Sequence, residues 1–173
     1  MEKLPKIIKI RQKIEPPRLE NTGARVIELL NQSGLSRTVK KGERIGLTAG
    51  SRGIKDKPGI LKAIVSRLRD LGASPFIVPC MGSHGGGTAE GQIEMLESLR
   101  ITEETMGAPI VSSMDVEEIG RTKFGTPVLI DKNLCRADKI VVVNRVKLHT
   151  DFDGEIESGL VKMMVIGMGK QKG

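Results

Sequence analysis

The 173-residue chain is long enough for one compact domain with a sizeable core, and its 38% hydrophobic content excludes global disorder. Its formal charge of +7 is uneven, because residues 1–69 hold 17 Lys and Arg against 6 Asp and Glu, a balance of +11. A basic half can attract an anionic ligand or a nucleic acid. With three Phe, no Tyr and no Trp, however, the chain lacks base-stacking side chains. We therefore favour a solvated basic face, and nucleic-acid binding through residues 1–69 ranks last among the candidate functions.

Neither secretion nor membrane insertion is indicated by the sequence. Cys80 and Cys135 do not make a disulfide framework, and both lie in or beside apolar runs typical of packed thiols. The charged N-terminus has no apolar core of a signal peptide, and no apolar stretch approaches the roughly 20 residues of a membrane span. We expect a soluble, cytoplasmic protein with no membrane partner.

The first half of the chain alternates predicted strands and helices. We predict strands at residues 5–14, 44–49 and 74–81, and helices at 24–32, between Pro58 and Gly72, and from Thr88 to about Leu99. Apolar residues recur at helical spacing in each helix, as in the series Ile60, Ile64, Leu68 and Leu71. Proline in a first turn, glycine after a last turn and threonine as an N-cap are typical helix boundaries.

The second half adds more strands and a final apolar element. We predict a strand at 108–113, a hairpin or a strand pair around Gly125 at 117–130, a buried strand at 139–146 and an apolar element starting at 159. This order predicts an α/β fold with a mostly parallel sheet flanked by helices, forming a single domain over residues 1–173. Because the last apolar element lacks an obvious cover, we expect this domain to be the N-terminal half of a two-domain protein.

Three unusual loops follow predicted strands, and we expect them to meet. They are "GSRGIKDKPG" after 44–49, "GSHGGG" after 74–81 and "KLHTDFDGE" after 139–146. Ligands of parallel α/β sheets bind beyond the carboxyl ends of the strands. The sequence therefore predicts that Arg52, His84 and His149 gather at one rim.

Each of these residue types suits the chemistry of an anionic substrate. Arginine in a glycine-rich loop can clamp a carboxylate or phosphate, although Arg52 could equally be an exposed loop residue. The bare backbone around His84 can approach an anion, or it can simply form a strand-to-helix turn. Two histidines can handle protons on opposite faces of a carbon that bears a hydroxyl, as its inversion requires.

Other motifs leave alternatives open or are excluded. "HGGG" is similar to an esterase oxyanion loop, but no GxSxG follows it, and the dinucleotide pattern GxGxxG is missing. The acidic run "DFDGEIE" does not match an EF-hand, so it is either a solvated face or a means of tuning His149. Lys162 lies in an apolar context, where it either extends to solvent or, if buried, is suited to covalent chemistry.

Taken together, "MGSHGGGT", "RVKLHTDFDGEIESGLVK" and "MVIGMGKQKG" resemble the N-terminal domain of the nickel-dependent lactate racemase family over about residues 44–173. The resemblance implies a racemase or epimerase of a 2-hydroxy acid, an isomerase. The family uses a nickel pincer nucleotide (pyridinium-3-thioamide-5-thiocarboxylic acid mononucleotide with nickel), tethered to a lysine, which takes a hydride from the substrate and returns it. The implied partners are a small 2-hydroxy acid and the proteins that make the cofactor.

The resemblance also implies a role for each candidate residue. His84 and His149 correspond to the acid–base pair, Lys162 in "SGLVK" to the lysine that bears the cofactor, and Arg52 to the substrate arginine. The loop glycines Gly85, Gly86 and Gly87 are expected to bind the cofactor.

The chain also departs from the family pattern. Gly85, Ala49 and Leu160 stand where the lactate enzymes have other residues, which leaves open a larger or more polar 2-hydroxy acid. The family's nickel-binding histidine falls beyond Gly173, so residues 1–173 alone are expected to be inactive. The alternative function is a non-catalytic α/β domain that binds a phosphate or a nucleotide.

Overall fold

A computed structural model describes residues 7–15, 17–149, 151 and 153–173. The strands are β1 (Arg44–Ala49), β2 (Ser74–Pro79), β3 (Val116–Arg121), β4 (Pro127–Asp131) and β5 (Lys139–Val141). The helices are α1 (Thr22–Gln32), α2 (Leu35–Thr38), α3 (Lys57–Asp70), α4 (Ala89–Ser98), α5 (Glu103–Met106), α6 (Lys132–Cys135) and α7 (Gly159–Lys162). A 3₁₀ turn at Gly85–Gly87 and a π-helical turn at Met163–Gly167 complete the described elements.

The predicted α/β class is confirmed by a parallel three-stranded sheet in the order β2–β1–β5. The central strand β1 pairs with β2 along its full length, from Arg44 opposite Ser74 to Ala49 opposite Pro79. The strands β3 and β4 form a separate antiparallel hairpin, as predicted, and its turn passes through Gly125. The sheet therefore has its carboxyl ends along one edge, where ligands of such folds bind.

The sheet is covered on both faces, and alternate residues of each strand determine what lies on which face. On one face Ile45, Leu47 and Ile77 pack with Leu61 and Leu68 of α3, and α1 and α5 lie against that helix. The other face is covered by α6, the hairpin and the C-terminal segment. Its core is a second cluster of buried residues: Phe76, Val78, Cys80, Ile130, Leu134, Met163 and Met168.

The three longer helices are confirmed, and their boundaries have the expected caps. The side chain of Asn21 accepts from the Ala24 N–H at the start of α1, and the Thr88 hydroxyl accepts from the Gly91 N–H at the start of α4. Pro58 lies in the first turn of α3, and Gly72 follows its last turn with a φ of 80°.

The predicted strand at 5–14 is wrong for the residues that the structure describes, 7–14, while 5 and 6 lie outside them. Residues 7–14 have no regular secondary structure, and Ile7, Ile8 and Ile10 are about as exposed as free side chains, at 98%, 79% and 83%. Alternating lysines and isoleucines suit a strand only if a neighbouring strand accepts its hydrogen bonds. No described strand pairs with this segment.

Two further strand predictions are too long. The run 139–146 forms a strand only at Lys139–Val141, because the next inward N–H, that of Val143, donates to the Thr48 side chain at 2.9 Å and not to the β1 backbone. The run 108–113 makes a single parallel bridge, between Ile110 and Ile77. The chain after Val141 is thereby released from the sheet, and it forms a wall of the cavity described below.

The predicted apolar element from residue 159 is helical, as α7 followed by the π-helical turn. It packs at the ends of β1 and β2, where Gly50 and Gly167 allow close approach. A Cβ on Gly167 would lie 2.5 Å from the Met163 sulfur and 2.9 Å from the Cys80 carbonyl oxygen. Within the described ranges, no helix is both long and apolar enough to cross a membrane.

The close packing of Gly46 in β1 gives a test of this arrangement. A Cβ at this position would lie 2.4 Å from a methyl group of the fully buried Leu134 and 3.2 Å from the Phe76 ring. We expect Gly46→Ala to destabilise the fold by about 1–3 kcal/mol through overpacking, measured as the urea dependence of unfolding.

The matched control is Gly23→Ala in α1, where the nearest neighbour of the added Cβ lies 3.7 Å away. This change is expected to be neutral or slightly stabilising, because alanine favours a helix. Equal stability of the Gly46 and Gly23 variants would contradict the packing of α6 against the sheet.

Candidate active site

The sequence candidates line one cavity at the carboxyl edge of the sheet. The cavity has a volume of about 420 Å³, within the range of small-molecule sites. Arg52 comes from the loop after β1, His84 from the loop after β2, and His149 from the segment after β5. Lys162, at the end of α7, lines the same cavity. The structure thus brings these four residues together.

His84 is held by the neighbouring loop. Its ring nitrogen Nδ1 lies 2.6 Å from the Ser51 hydroxyl, and the side chain is half-buried. Ser51 and His84 follow strands whose ends, Ala49 and Pro79, are direct partners, so parallel pairing of β1 with β2 sets this contact. Since Nδ1 is engaged by Ser51, Nε2 is the ring nitrogen left to exchange a proton with a ligand.

His149 is held by its own loop through Glu157. The Glu157 carboxylate accepts from the backbone N–H of His149 at 2.6 Å and from that of Gly154 at 3.2 Å. These bonds, the one from His149 first, hold the pKa of Glu157 below its usual value. The His149 Nδ1 accepts from the Asp151 N–H at 3.2 Å, so a short turn fixes the imidazole.

The loop that bears Arg52 is attached at both ends by cationic side chains. The buried Lys57 Nζ donates to the Gly50 carbonyl at 2.5 Å, and its burial lowers the Lys57 pKa. The Arg145 guanidinium donates to the Gly53 carbonyl at 3.1 Å. Arg52 itself is exposed at the cavity rim, so its guanidinium is accessible to a ligand.

The lining is cationic. Arg52, Arg145, Lys147 and Lys162 all line the cavity, whereas no Asp or Glu is found among its described lining residues. Four cations without a carboxylate beside them repel one another, and a bound anion relieves that repulsion. The arrangement therefore suits a ligand with more than one negative group.

The Lys162 side chain is exposed, so of the two alternatives left open by the sequence, the lysine that extends to solvent is the one observed. Its neighbour Met163 is buried and lines the same cavity, as do Met81 and Ile166. Lys162 thus combines an exposed side chain with a position in the cavity lining, so its amine is accessible to a ligand.

The loop glycines Gly85, Gly86 and Gly87 are not among the lining residues of this cavity. All three have φ values near 66°, which is the left-handed region, and they form the turn between β2 and α4. A Cβ on Gly85 would lie 2.5 Å from the Gly91 backbone, so the turn can pack on α4 because Gly85 has no side chain. Their predicted contact with a cofactor stays a prediction.

The sequence interpretation missed five lining residues that bear polar groups: Ser51, Asn144, Arg145, Lys147 and Ser158. Ser51 adjoins Arg52, and Arg145 and Lys147 precede His149 at a spacing of two. That spacing is the signal: in an extended segment, alternate side chains point the same way. Val146 and Leu148, which lie between them, are about 80% exposed and are not among the described lining residues.

The described residues hold no group of three or more His, Cys, Asp or Glu side chains that could bind a metal ion. Cys80 lines the cavity but is buried, and burial raises the pKa of its thiol to about 12. Its thiolate is therefore scarce at neutral pH, which agrees with the packed thiol expected from the sequence.

The Glu157 contacts give a pH prediction. Because its pKa in the fold is lowered, the hold on His149 is complete above the ordinary value of 4.5 and is lost as the pH falls through the lowered value. We expect the amide signals of His149 and Gly154 to shift together below pH 4.5 in an NMR titration.

In Glu157→Gln, the amide signals of His149 and Gly154 are expected to be displaced at neutral pH, and they are expected to show no shift as the pH falls below 4.5. Glu155→Gln is the control, since Glu155 is exposed in the same loop. Unchanged amide signals in the Glu157 variant would show that the carboxylate does not hold the loop.

Comparison with known proteins identifies the family. A family model described as the lactate racemase N-terminal domain matches residues 3–172, nearly the whole chain. The search of curated proteins found no match. The match covers all of the cavity-lining residues, and it agrees with the resemblance of the motifs around His84, His149 and Lys162. The chain therefore belongs to the lactate racemase N-terminal domain family.

Proposed function

We propose that this chain serves a nickel-dependent racemase or epimerase of a 2-hydroxy acid, with His84 and His149 as its acid–base pair. The observation that supports this most directly is the order of the loops. The sheet order β2–β1–β5 puts the Arg52 loop between the loop of His84 and the segment of His149. A substrate bound by Arg52 would therefore have one imidazole on each side.

The cavity fits the anionic and covalent requirements of a nickel pincer nucleotide. Lys162 offers an accessible amine for the thioamide tether, and the apolar side chains of Met163 and Ile166 line the same cavity. Arg145 and Lys147 offer cationic groups for the phosphate, at a spacing that directs both side chains into the cavity. When bound, this group supplies a reversible hydride acceptor.

The protein's own residues would bind the substrate and move its proton. Arg52 binds the carboxylate and so holds C2 between the two histidines. As the C2 hydrogen leaves with its electron pair, the hydroxyl O–H bond breaks and its proton passes to the imidazole on that side. The C2–O bond becomes a carbonyl, and no other oxidant is needed because the hydride is later returned.

Inversion requires that hydrogen return to the opposite face of C2. The planar 2-oxo acid, still bound through its carboxylate, rotates within the cavity, and a protonated imidazole on the second side returns a proton to its oxygen. An imidazole can both accept and donate a proton, so each histidine can serve either direction. Ser51 keeps the His84 ring oriented throughout.

The tether at Lys162 gives the first test. We expect the full-length protein, co-expressed with enzymes that make the cofactor, to gain the mass of the cofactor on Lys162, as measured by intact-mass analysis and peptide mapping. Lys162→Arg keeps the positive charge but lacks a primary amine, so it is expected to stay unmodified.

Lys172→Arg, a change to an exposed lysine near the end of the same segment, is the control and is expected to keep the modification. An unmodified Lys162 in protein that contains no nickel would contradict the proposal. Ligand binding that survives this result would favour the alternative, a non-catalytic domain that binds a phosphate or a nucleotide.

A further inference from the structure

Lys170 is a charged side chain buried in the core, outside the cavity. It is 1% exposed, and its Nζ lies 3.1 Å from the carboxylate of Asp131, which is fully buried. The same Nζ donates to the Pro79 carbonyl at 2.5 Å and lies 3.5 Å from the Gln92 Oε1. One ammonium thus connects the C-terminal segment with β4, with the end of β2 and with α4.

Gln92 extends this network to the His84 loop. Its side chain is fully buried, and its Nε2 donates to the Gly82 carbonyl at 2.9 Å and to the His84 carbonyl at 3.3 Å. An amide has an oxygen at one end and an NH₂ group at the other. The Lys170 ammonium beside the oxygen fixes that orientation, so the NH₂ group must face the loop.

The other side of the network fixes the segment that bears Lys162. The backbone N–H of Asp131 donates to the Met168 carbonyl at 2.7 Å, two residues before Lys170. Between Met168 and Lys162 lies the π-helical turn, which packs closely against Cys80 at Gly167. The position of α7 relative to the sheet therefore depends on where this buried ion pair holds the end of the segment.

Stability alone does not explain a charged pair at this position. Replacing a buried ion pair by apolar residues of similar volume is often neutral or stabilising, because both charges lose their hydration on folding. A cation does have one property that an apolar residue lacks: it determines which end of a neighbouring amide points toward it. A methionine, whose volume is similar to that of lysine, would fill the space at position 170 without orienting the Gln92 amide.

We propose that Lys170, paired with Asp131, is a positioning residue that acts through Gln92 on His84 and through the π-helical turn on Lys162. The structural part stands on the contacts above, and its consequence for catalysis rests on the proposed function. Neither Lys170 nor Gln92 lines the cavity, so both act on a ligand only through other residues.

The test uses the chain's two histidines as separate reporters. With ¹⁵N-labelled histidine, we expect Gln92→Met to shift and broaden the His84 ring signals, because the loop loses its two hydrogen bonds from the Gln92 side chain. The double variant Lys170→Met with Asp131→Asn is expected to do the same. Its asparagine retains an oxygen for the Asn133 and Leu134 N–H groups and leaves no unpaired charge. The His149 signals are expected to change little.

The matched control removes another ion pair, that of Lys139 with Glu43, which joins β5 to the turn before β1 at 2.5 Å. Lys139→Met with Glu43→Gln is expected to leave the His84 signals unchanged. His84 signals that stay unchanged in either folded core variant would overturn the proposal. In the unchanged protein, rapid solvent exchange of both the Lys170 ammonium and the Gln92 side-chain amide would overturn it as well.

Turnover supplies a further readout that a purely structural role would not give. We expect Gln92→Met to lower kcat by up to about 100-fold while KM changes little, because Arg52 is untouched and only the imidazole is misplaced. The ring signals need neither cofactor nor turnover. A His84 shift in the variants, in protein whose Lys162 stays unmodified, would therefore support the positioning network and contradict the proposed function. Unchanged His84 signals in the variants, with Lys162 modified in the unchanged protein, would support the proposed function and contradict the positioning network.

Discussion

Parallel pairing of β1 with β2 and β5 is the constraint on which the site depends. Strands that run the same way end at the same edge, so the loops that follow them must meet there. Arg52, His84 and His149 are far apart in the sequence and lie in three separate loops, yet this pairing places those loops side by side. The Ser51–His84 hydrogen bond is a direct consequence, because it joins loops that follow paired strand ends.

Charge distribution is the second determinant of the site. Cations collect in the cavity, whereas the acids near it are engaged elsewhere: Glu157 accepts backbone N–H groups, and Asp131 pairs with Lys170 in the core. Among the described residues that line the cavity, none is an Asp or Glu that would repel an anionic ligand. The buried pair also keeps two charged groups out of solvent, which costs free energy on folding.

Much of the fold follows from the sequence because the signals are local. The series from Ile60 to Leu71, with proline at its start and glycine at its end, predicts α3, and Thr88 predicts the start of α4. The convergence of the three loops also follows, since it needs only the strand order and a general property of parallel sheets. The family match covers the same motifs, 3–172.

What sequence could not supply depends on partners distant in the chain. Residues 7–14 have the alternation of a strand, but no described strand pairs with them. The strand that begins at 139 ends early because the Thr48 hydroxyl accepts the hydrogen bond from the Val143 N–H. Lys170 lies in a short run of glycines and basic residues that resembles a solvated tail. Only the fold brings Asp131 beside it. The apolar context of Lys162 also does not predict its exposure. Its helical neighbours Leu160 and Val161 are apolar, yet they are exposed as well.

The most direct measurement of the central claim is the loss of optical purity of a 2-hydroxy acid. Single enantiomers, from lactate to longer and more polar members, would be incubated with cofactor-loaded full-length protein and separated by chiral chromatography. We predict that at least one enantiomer converts to a mixture, and that His84→Gln and His149→Gln each slow the conversion by about 100-fold or more, as expected for an acid–base residue. Conversion at the original rate in both histidine variants would contradict the account.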